Sequence, residues 1–343
     1  MSTDVEPSPL LGRVTITDVA RAAGVSVPTV SKVVNGRYGV AAATSKRVLE
    51  VVEELGYETS LVASSLRRRQ TNVIGILVAE FESFSVELLK GVSAAAAGTG
   101  YEVLAYSGLV TDGSPTGWER RSLSRLAGTL IDGAIIVTPT VLMPTTSIPV
   151  VAIDPHTGPG GPSTIDSDSV GGARSATRHL IELGHRRIAH IRGRGDLASA
   201  QLREEGYRQS LAEAGIAFDP ELVRDGGYKA ALTSDAAREL LTRADRPTAV
   251  FAANDMSALG VLKVAAELGL RVPEDLSVIG FDDIPEAASA TPPLTTMAQP
   301  LHDLGAQALQ MLVQLLDGHD VPNHVQLPAK LVVRASTAAA PAA

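Results

Sequence analysis

Polar side chains stand at the ends of several apolar runs, where a small molecule can be held. Asn254-Asp255 closes AVFAAND, Asp282-Asp283 closes LSVIGFDD, Asp154 closes PVVAID, and Arg203 lies on the helical stretch after RIAHIRG. Carboxylates accept hydrogen bonds, a guanidinium donates them in a fork, and an amide does both. That set suits a polyol, because each hydroxyl taken out of water needs a partner. The alternative is local: strand-end Asp residues also cap the helices that follow, as Asp255 and Asp283 would. Catalysis has less support. His156, His179, His185, His190, His302, His319 and His324 are scattered, with no HExxH, no paired metal spacing and no GxSxG elbow. Cysteine is absent, so no thiol nucleophile, thiolate metal site or disulfide is available. Asp282-Asp283 is no dyad, since neighbours on a strand face opposite ways. His185, in LGHRRIAHI, falls in a helix-to-strand turn and reads as structural. Gly193-Arg194-Gly195-Asp196-Leu197-Ala198 imitates a dinucleotide fingerprint, but the required acid-ended strand about 20 residues on is missing. No enzyme activity, metal or cofactor is expected.

A second chemistry is carried by charge. The 343 residues have a net charge of −8, unevenly spread. Residues 13–70 hold nine basic groups against five acidic ones, a net +4, which leaves −12 for the rest. A basic head on an acidic body suggests a polyanion-binding module joined to something else. Within the head, GVSVPTVSKVVNG (24–36) places Val30, Val33 and Val34 on one helical stripe and leaves Pro28, Thr29, Ser31 and Lys32 off it. With the valines facing a small core, Val27, Pro28, Ser31 and Lys32 face out, able to approach base edges from a helix N-terminus.

These residues need elements to position them. A helix over Ile16–Ala23 ends at Gly24; a second is capped by Ser26 with Pro28 in its first turn; a third runs from about Thr44 to Leu55 and stops at Gly56. Two short helices joined by a Gly turn and packed on a third form a helix-turn-helix domain. From Thr71 the pattern changes to short apolar runs at 73–79, 101–106, 133–137, 149–154, 187–193, 249–255 and 276–283, alternating with helical stretches. Such alternation predicts parallel sheets covered on both faces, in two lobes with ligand at the strand ends between them. The longest apolar run is too short to span a bilayer, and MSTDVEPSPL has no apolar core of a secretory signal, so a soluble cytoplasmic protein is expected.

VTITDVARAAGVSVPTVSKVVNG followed by RVLEVVEELGY resembles the head of the LacI/GalR family of bacterial transcription regulators, and the resemblance extends over nearly the whole chain. It implies an N-terminal all-α helix-turn-helix domain plus an α/β two-lobe periplasmic-binding-protein-like effector domain. The expected division is a disordered tail (1–12), the DNA-binding head (13–58), a hinge (59–71), the effector and dimerisation domain (72–334) and a disordered tail (335–343). Within the effector domain the N-lobe takes about 72–166 and 301–328, and the C-lobe about 167–300 and 329–334. By the resemblance Val27, Pro28 and Lys32 read bases, and Thr15, Ser26, Ser31 and Asn35 grip backbone, with Thr29 beside them. In the hinge, Leu66 matches a leucine that wedges into the minor groove, with Ala63 on its face. Two departures stand out: Ala41 replaces a usual Ser cap, and Glu58-Thr59-Ser60 replaces the usual Pro-Asn before the hinge. In the body the resemblance puts Asp154, Ser199, Arg203, Tyr228, Asn254 and Asp282 on the effector. The implied protein is a homodimeric repressor on a near-palindromic operator, controlled allosterically by a small ligand, with a sugar the expected class. A transporter's solute-binding protein is the runner-up, opposed by the basic head.

Overall fold

A computed structural model describes residues 14–34, 38–57, 70–108, 116–143, 145–228 and 230–341. The chain divides into two compact units, Met1–Thr71 and Asn72–Ala343.

The first unit holds α1 (Ile16–Ala23), α2 (Val27–Val34) and α3 (Ala42–Glu54). The Thr15 amide and hydroxyl both donate to the Asp18 carboxylate, at 3.0 and 2.6 Å, which ties the first turn of α1. The same bonds hold the Asp18 carboxyl below its ordinary range. Gly24 ends α1 at φ +62°, a conformation that L side chains resist, and Val25 N–H reaches back to the Ala20 carbonyl at 3.0 Å. Helix α2 starts at Ser26, whose hydroxyl accepts from Thr29 N–H at 3.3 Å and bonds the Thr29 hydroxyl at 2.9 Å. Helix α3 starts at Ala42, earlier than the Thr44 expected, capped by the backbone of Ala41 alone. Val19, Val30 and Val48, one from each helix, are fully buried and form the centre of a core shared with Ala20 and Ala23.

In the second unit two six-stranded sheets are built from the described residues. The first contains β1 (Val73–Val78), β2 (Glu102–Ser107), β3 (Gly133–Val137), β4 (Val150–Ile153), β5 (Ser163–Ser167) and β11 (His324–Leu327), in the order β11-β5-β4-β3-β1-β2. The second contains β6 (Ile188–Arg192), β7 (Val223–Asp225), β8 (Ala249–Ala252), β9 (Ser277–Asp282), β10 (Thr295–Ala298) and β12 (Lys330–Val332), in the order β12-β10-β9-β8-β6-β7. Every pairing is parallel except β10 with β12. The chain therefore crosses between lobes after β5, after β10 and after β11. Central strands such as VIGILV are buried along their whole length, as parallel strands covered by helices must be.

Helices α4 (Ser83–Ala96) and α11 (Leu301–Leu316) pack on one face of the first sheet, and α5 (Trp118–Leu126) on the other. Gly91 and Gly305 let α4 and α11 meet backbone to backbone: a Cβ at either would lie 2.1 or 2.2 Å from a carbonyl oxygen of the other helix. The second sheet lies between α6 (Ser169–Glu182) with α7 (Ala198–Glu213), and α8 (Ala230–Leu241) with α9 (Asp255–Glu267), and the short α10 (Pro285–Ser289) follows β9. Strands β5, β7, β10, β11 and β12 escaped the sequence reading because they are short and carry polar residues, as in STIDS and HVQL. Their pairing comes from neighbours, not from a pattern of their own.

The C-terminal segment corrects an expectation. Residues 335–341 are not a loose tail but lie against the second lobe. Ser336 is fully buried, donating to the Val278 carbonyl at 2.6 Å and accepting from Thr295 N–H at 2.8 Å. Ala338 N–H donates to the Ser277 hydroxyl at 3.0 Å, and Ala340 N–H to the Leu183 carbonyl at 2.8 Å. His185 joins this seam, its ring nitrogens within 2.9–3.1 Å of the Thr248 hydroxyl, the Ser277 hydroxyl and the Ala338 carbonyl, which is the structural role its turn position suggested. None of the helices searched among the described residues is long and apolar enough to cross a membrane.

Candidate functional site

Asp282 is the last residue of β9 and is buried. Gln299, just beyond β10, donates its amide to the Asp282 carboxylate at 2.6 Å, while its own carbonyl accepts from Ser167 at the end of β5. Burial pushes the Asp282 carboxyl up to about 7; Arg203 and Gln299 oppose the rise, and Asp154 and Glu82 add to it. Arg203, in the second turn of α7, is 3% exposed. It donates to the Ala253 carbonyl at 2.5 Å, its Nη1 stands 3.7 Å from the Asp282 carboxylate, and its guanidinium lies 3.9 Å over the Phe281 ring. Its Nε has no protein partner. Gln299 and Phe281 were missed from sequence. Gln299 follows a strand too polar to recognise, and Phe281 reads as ordinary core.

Tyr228 sits at φ +59°, in the left-handed region. Its ring end rests on Gly193, where an added Cβ would come within 2.2 Å. Burial pushes the phenol up; Arg203 and Ser199 pull it down, and Asp154 and Asp282 push it further up. Those four side chains lie within electrostatic reach of the phenol. Ser199 is buried in the first turn of α7, and Asp154, at φ +47° beyond β4, comes from the opposite lobe. Thus Asp154, Ser199, Arg203, Tyr228 and Asp282 are brought together.

Asn254 is placed differently. Its side-chain carbonyl accepts from Ser257 N–H at 2.9 Å, so it caps α9. The cap considered for Asp255 thus falls to Asn254, while the helix after Asp283, Pro285–Ser289, starts at Ile284 with no side-chain cap. Asp255 is buried, accepting from the Thr296 hydroxyl at 2.5 Å and Ile284 N–H at 3.0 Å, and burial beside Asp282 drives its carboxyl well above the ordinary range. Asp283 accepts from Arg334 at 2.6 Å.

On the head, Thr15, Ser26, Val27, Pro28 and Lys32 are exposed, while Thr29 and Ser31 are half-buried. Val27 is an exposed apolar side chain at the start of α2, next to Pro28 and one turn from Lys32. Val27 and Pro28 stand at the positive end of α2 and Lys32 in its last turn, an exposed face whose width and mix of methyl and ammonium groups suit a major groove. Asn35, Ala63 and Leu66, with most of the hinge, lie outside the described residues. Lys32→Ala is expected to weaken operator binding by about 1–3 kcal/mol and to relax preference at one base pair, leaving effector affinity unchanged. Selection of bound sequences by wild type and variant checks this; a uniform loss over all sequences would make Lys32 a phosphate contact.

Comparison with known proteins agrees with both parts. Residues 15–60 match the model of bacterial regulatory proteins of the lacI family, and residues 177–337 that of a periplasmic binding protein-like domain. The chain is 38% identical over 336 residues to the HTH-type transcriptional repressor PurR of Aliivibrio fischeri, covering 94% of this chain and 98% of that one. It is 36% identical over 340 residues to the HTH-type transcriptional regulator CelR of Thermobifida fusca, with the same coverage. Among solved structures it resembles a CelR–cellobiose complex (TM-score 0.70, 34% identity, 94% of this chain and all of that one). It also resembles the lac repressor dimer bound to operator and the anti-inducer ONPF (TM-score 0.79, 30% identity, 95% and 99%). Matches that run through the head leave the transporter alternative without support. The chain belongs to the LacI family of bacterial regulatory proteins, transcription regulators in which a helix-turn-helix head is joined to a two-lobe effector body.

Proposed function

We propose that this regulator is a cytoplasmic homodimeric repressor whose hold on a near-palindromic operator is set by a sugar bound between its lobes. Thr15, Ser26, Thr29, Ser31 and Asn35 serve the DNA backbone, Val27, Pro28 and Lys32 the bases, and Ala63 with Leu66 the minor groove. Asp154, Ser199, Arg203, Tyr228 and Asp282 take the sugar, with Asn254 holding α9 in place beside it. The protein is a binding device, not an enzyme, and uses no cofactor.

The bonds that join the lobes at the strand ends carry this reading: Ala198 N–H donates to the His156 carbonyl at 3.0 Å, two residues from Asp154, and Ser167 donates to Gln299, which holds Asp282. A ligand that bonds to both lobes fixes the angle between them, and in a dimer that angle sets the spacing of the heads. The similarity to a cellobiose-bound regulator favours a sugar over other small polar ligands. The test is reciprocal titration. Operator fragments are first selected from genomic DNA by the full-length protein. Cellobiose and ribose are then titrated with and without the operator. Linkage requires one sugar to change affinity by the same factor by which it changes operator binding, on the order of 1–3 kcal/mol. Equal sugar affinity in both states would end the allosteric reading for that sugar.

A further inference from the structure

The loop Gly193–Ala198 imitates a phosphate-binding turn, yet its arginine and the amides of Leu197 and Ala198 are already engaged within the protein. Arg194 is held by Asp196 through two bonds, at 3.0 and 2.5 Å. The first amide of α7, at Ala198, donates across the cleft to the His156 carbonyl at 3.0 Å. An anion approaching this helix start therefore meets Asp196 and, at Ala198, an occupied donor.

Among the described residues, the cations acting on Asp282, Tyr228 and His156 are Arg203 and Arg194. Arg203 is already matched by the Ala253 carbonyl, the Asp282 carboxylate and the face of Phe281. Carboxylates, by contrast, come from both lobes: Asp154 and Glu82 act on Asp282, and Asp154, Asp196 and Glu119 act on His156. The buried polar atoms that complete no hydrogen bond include Arg203 Nε and His156 Nδ1. A neutral hydroxyl satisfies each of these, as donor or acceptor, without adding charge. A phosphate ester would bring negative charge into a desolvated space that already holds more carboxylates than free cations.

We propose that the effector is an uncharged polyhydroxy compound and that the cleft rejects phosphorylated sugars and other anions. This rests on the sugar reading above. It also adds His156, which no motif or spacing singled out, as a ligand contact from the first lobe.

The test pairs each free sugar with its own ester: cellobiose with cellobiose 6-phosphate, ribose with ribose 5-phosphate, glucose with glucose 6-phosphate. Each is titrated calorimetrically into the full-length protein. Binding is expected only among the uncharged members, the matching ester being roughly 100-fold weaker or more. Asp154→Asn is expected to narrow that gap by restoring ester binding. An ester that binds as tightly as its parent overturns the exclusion and leaves the sugar reading standing. A gap unchanged in Asp154→Asn assigns the discrimination to shape and overturns the charge argument. Silence from both halves of the panel removes the sugar reading and this proposal with it.

Discussion

Replacing Arg203 by alanine is expected to abolish the response to effector while leaving operator binding intact. The guanidinium holds the Ala253 carbonyl, faces Asp282 across 3.7 Å and covers Phe281, so it fixes one wall of the cleft and keeps an Nε donor for the ligand. Its removal strips a charge-assisted bond from the ligand and leaves Asp282 buried without its cation. That carboxyl, already near 7, would rise further and stay protonated. The loss in effector affinity is expected to be about 3 kcal/mol or more, roughly 100-fold. Lysine should not rescue it, because an ammonium cannot lie flat on Phe281 while reaching both oxygens. The measurement is an operator-release curve with calorimetric titration of the effector, on protein whose circular dichroism matches wild type. A wild-type midpoint in Arg203→Ala would move the pocket elsewhere.

Val30→Asp is expected to eliminate operator binding completely while the body stays folded. Val30 is the one fully buried residue of α2 and meets Val19 and Val48 at the centre of the head. A unit this small has only a few kcal/mol of stability to lose, about 3–5 kcal/mol at most. An unpaired carboxylate in its core costs more than that. Val30→Ala, which removes only two methyl groups, should cost about 2 kcal/mol and give a partial, temperature-dependent loss. Because the head and body are separate units, thermal melting of the body and effector affinity should be unchanged in both variants. Operator binding by Val30→Asp at the wild-type level would mean that α2 does not depend on this core.

Much of the fold was legible because its signals are local. The head is written in a valine stripe and a Gly turn, both within one or two helical turns. The buried strands of the body are continuous apolar runs, and VIGILV or GAIIV would be hard to place anywhere but a covered sheet. Polar strands such as STIDS were invisible for the opposite reason, and so was the C-terminal segment. ASTAAAPAA has no periodicity, yet backbone amides and one buried serine hold residues 335–341 in place, and backbone hydrogen bonding leaves no mark on composition.

The same division runs through the site. Residue types and strand-end positions alone determined that Asp154, Arg203 and Asp282 belong to a polar cluster at the mouth of parallel sheets. Only the tertiary structure decided how each is used. Asn254 turned out to be committed to a helix cap, Gln299 entered from an unrecognised strand, and the phosphate-like loop was found closed by Asp196 and His156. Spacing along a chain fixes which face a side chain takes, whereas the partner that satisfies or abandons a buried polar atom arrives from 50 or more residues away, as Ala253 does for Arg203.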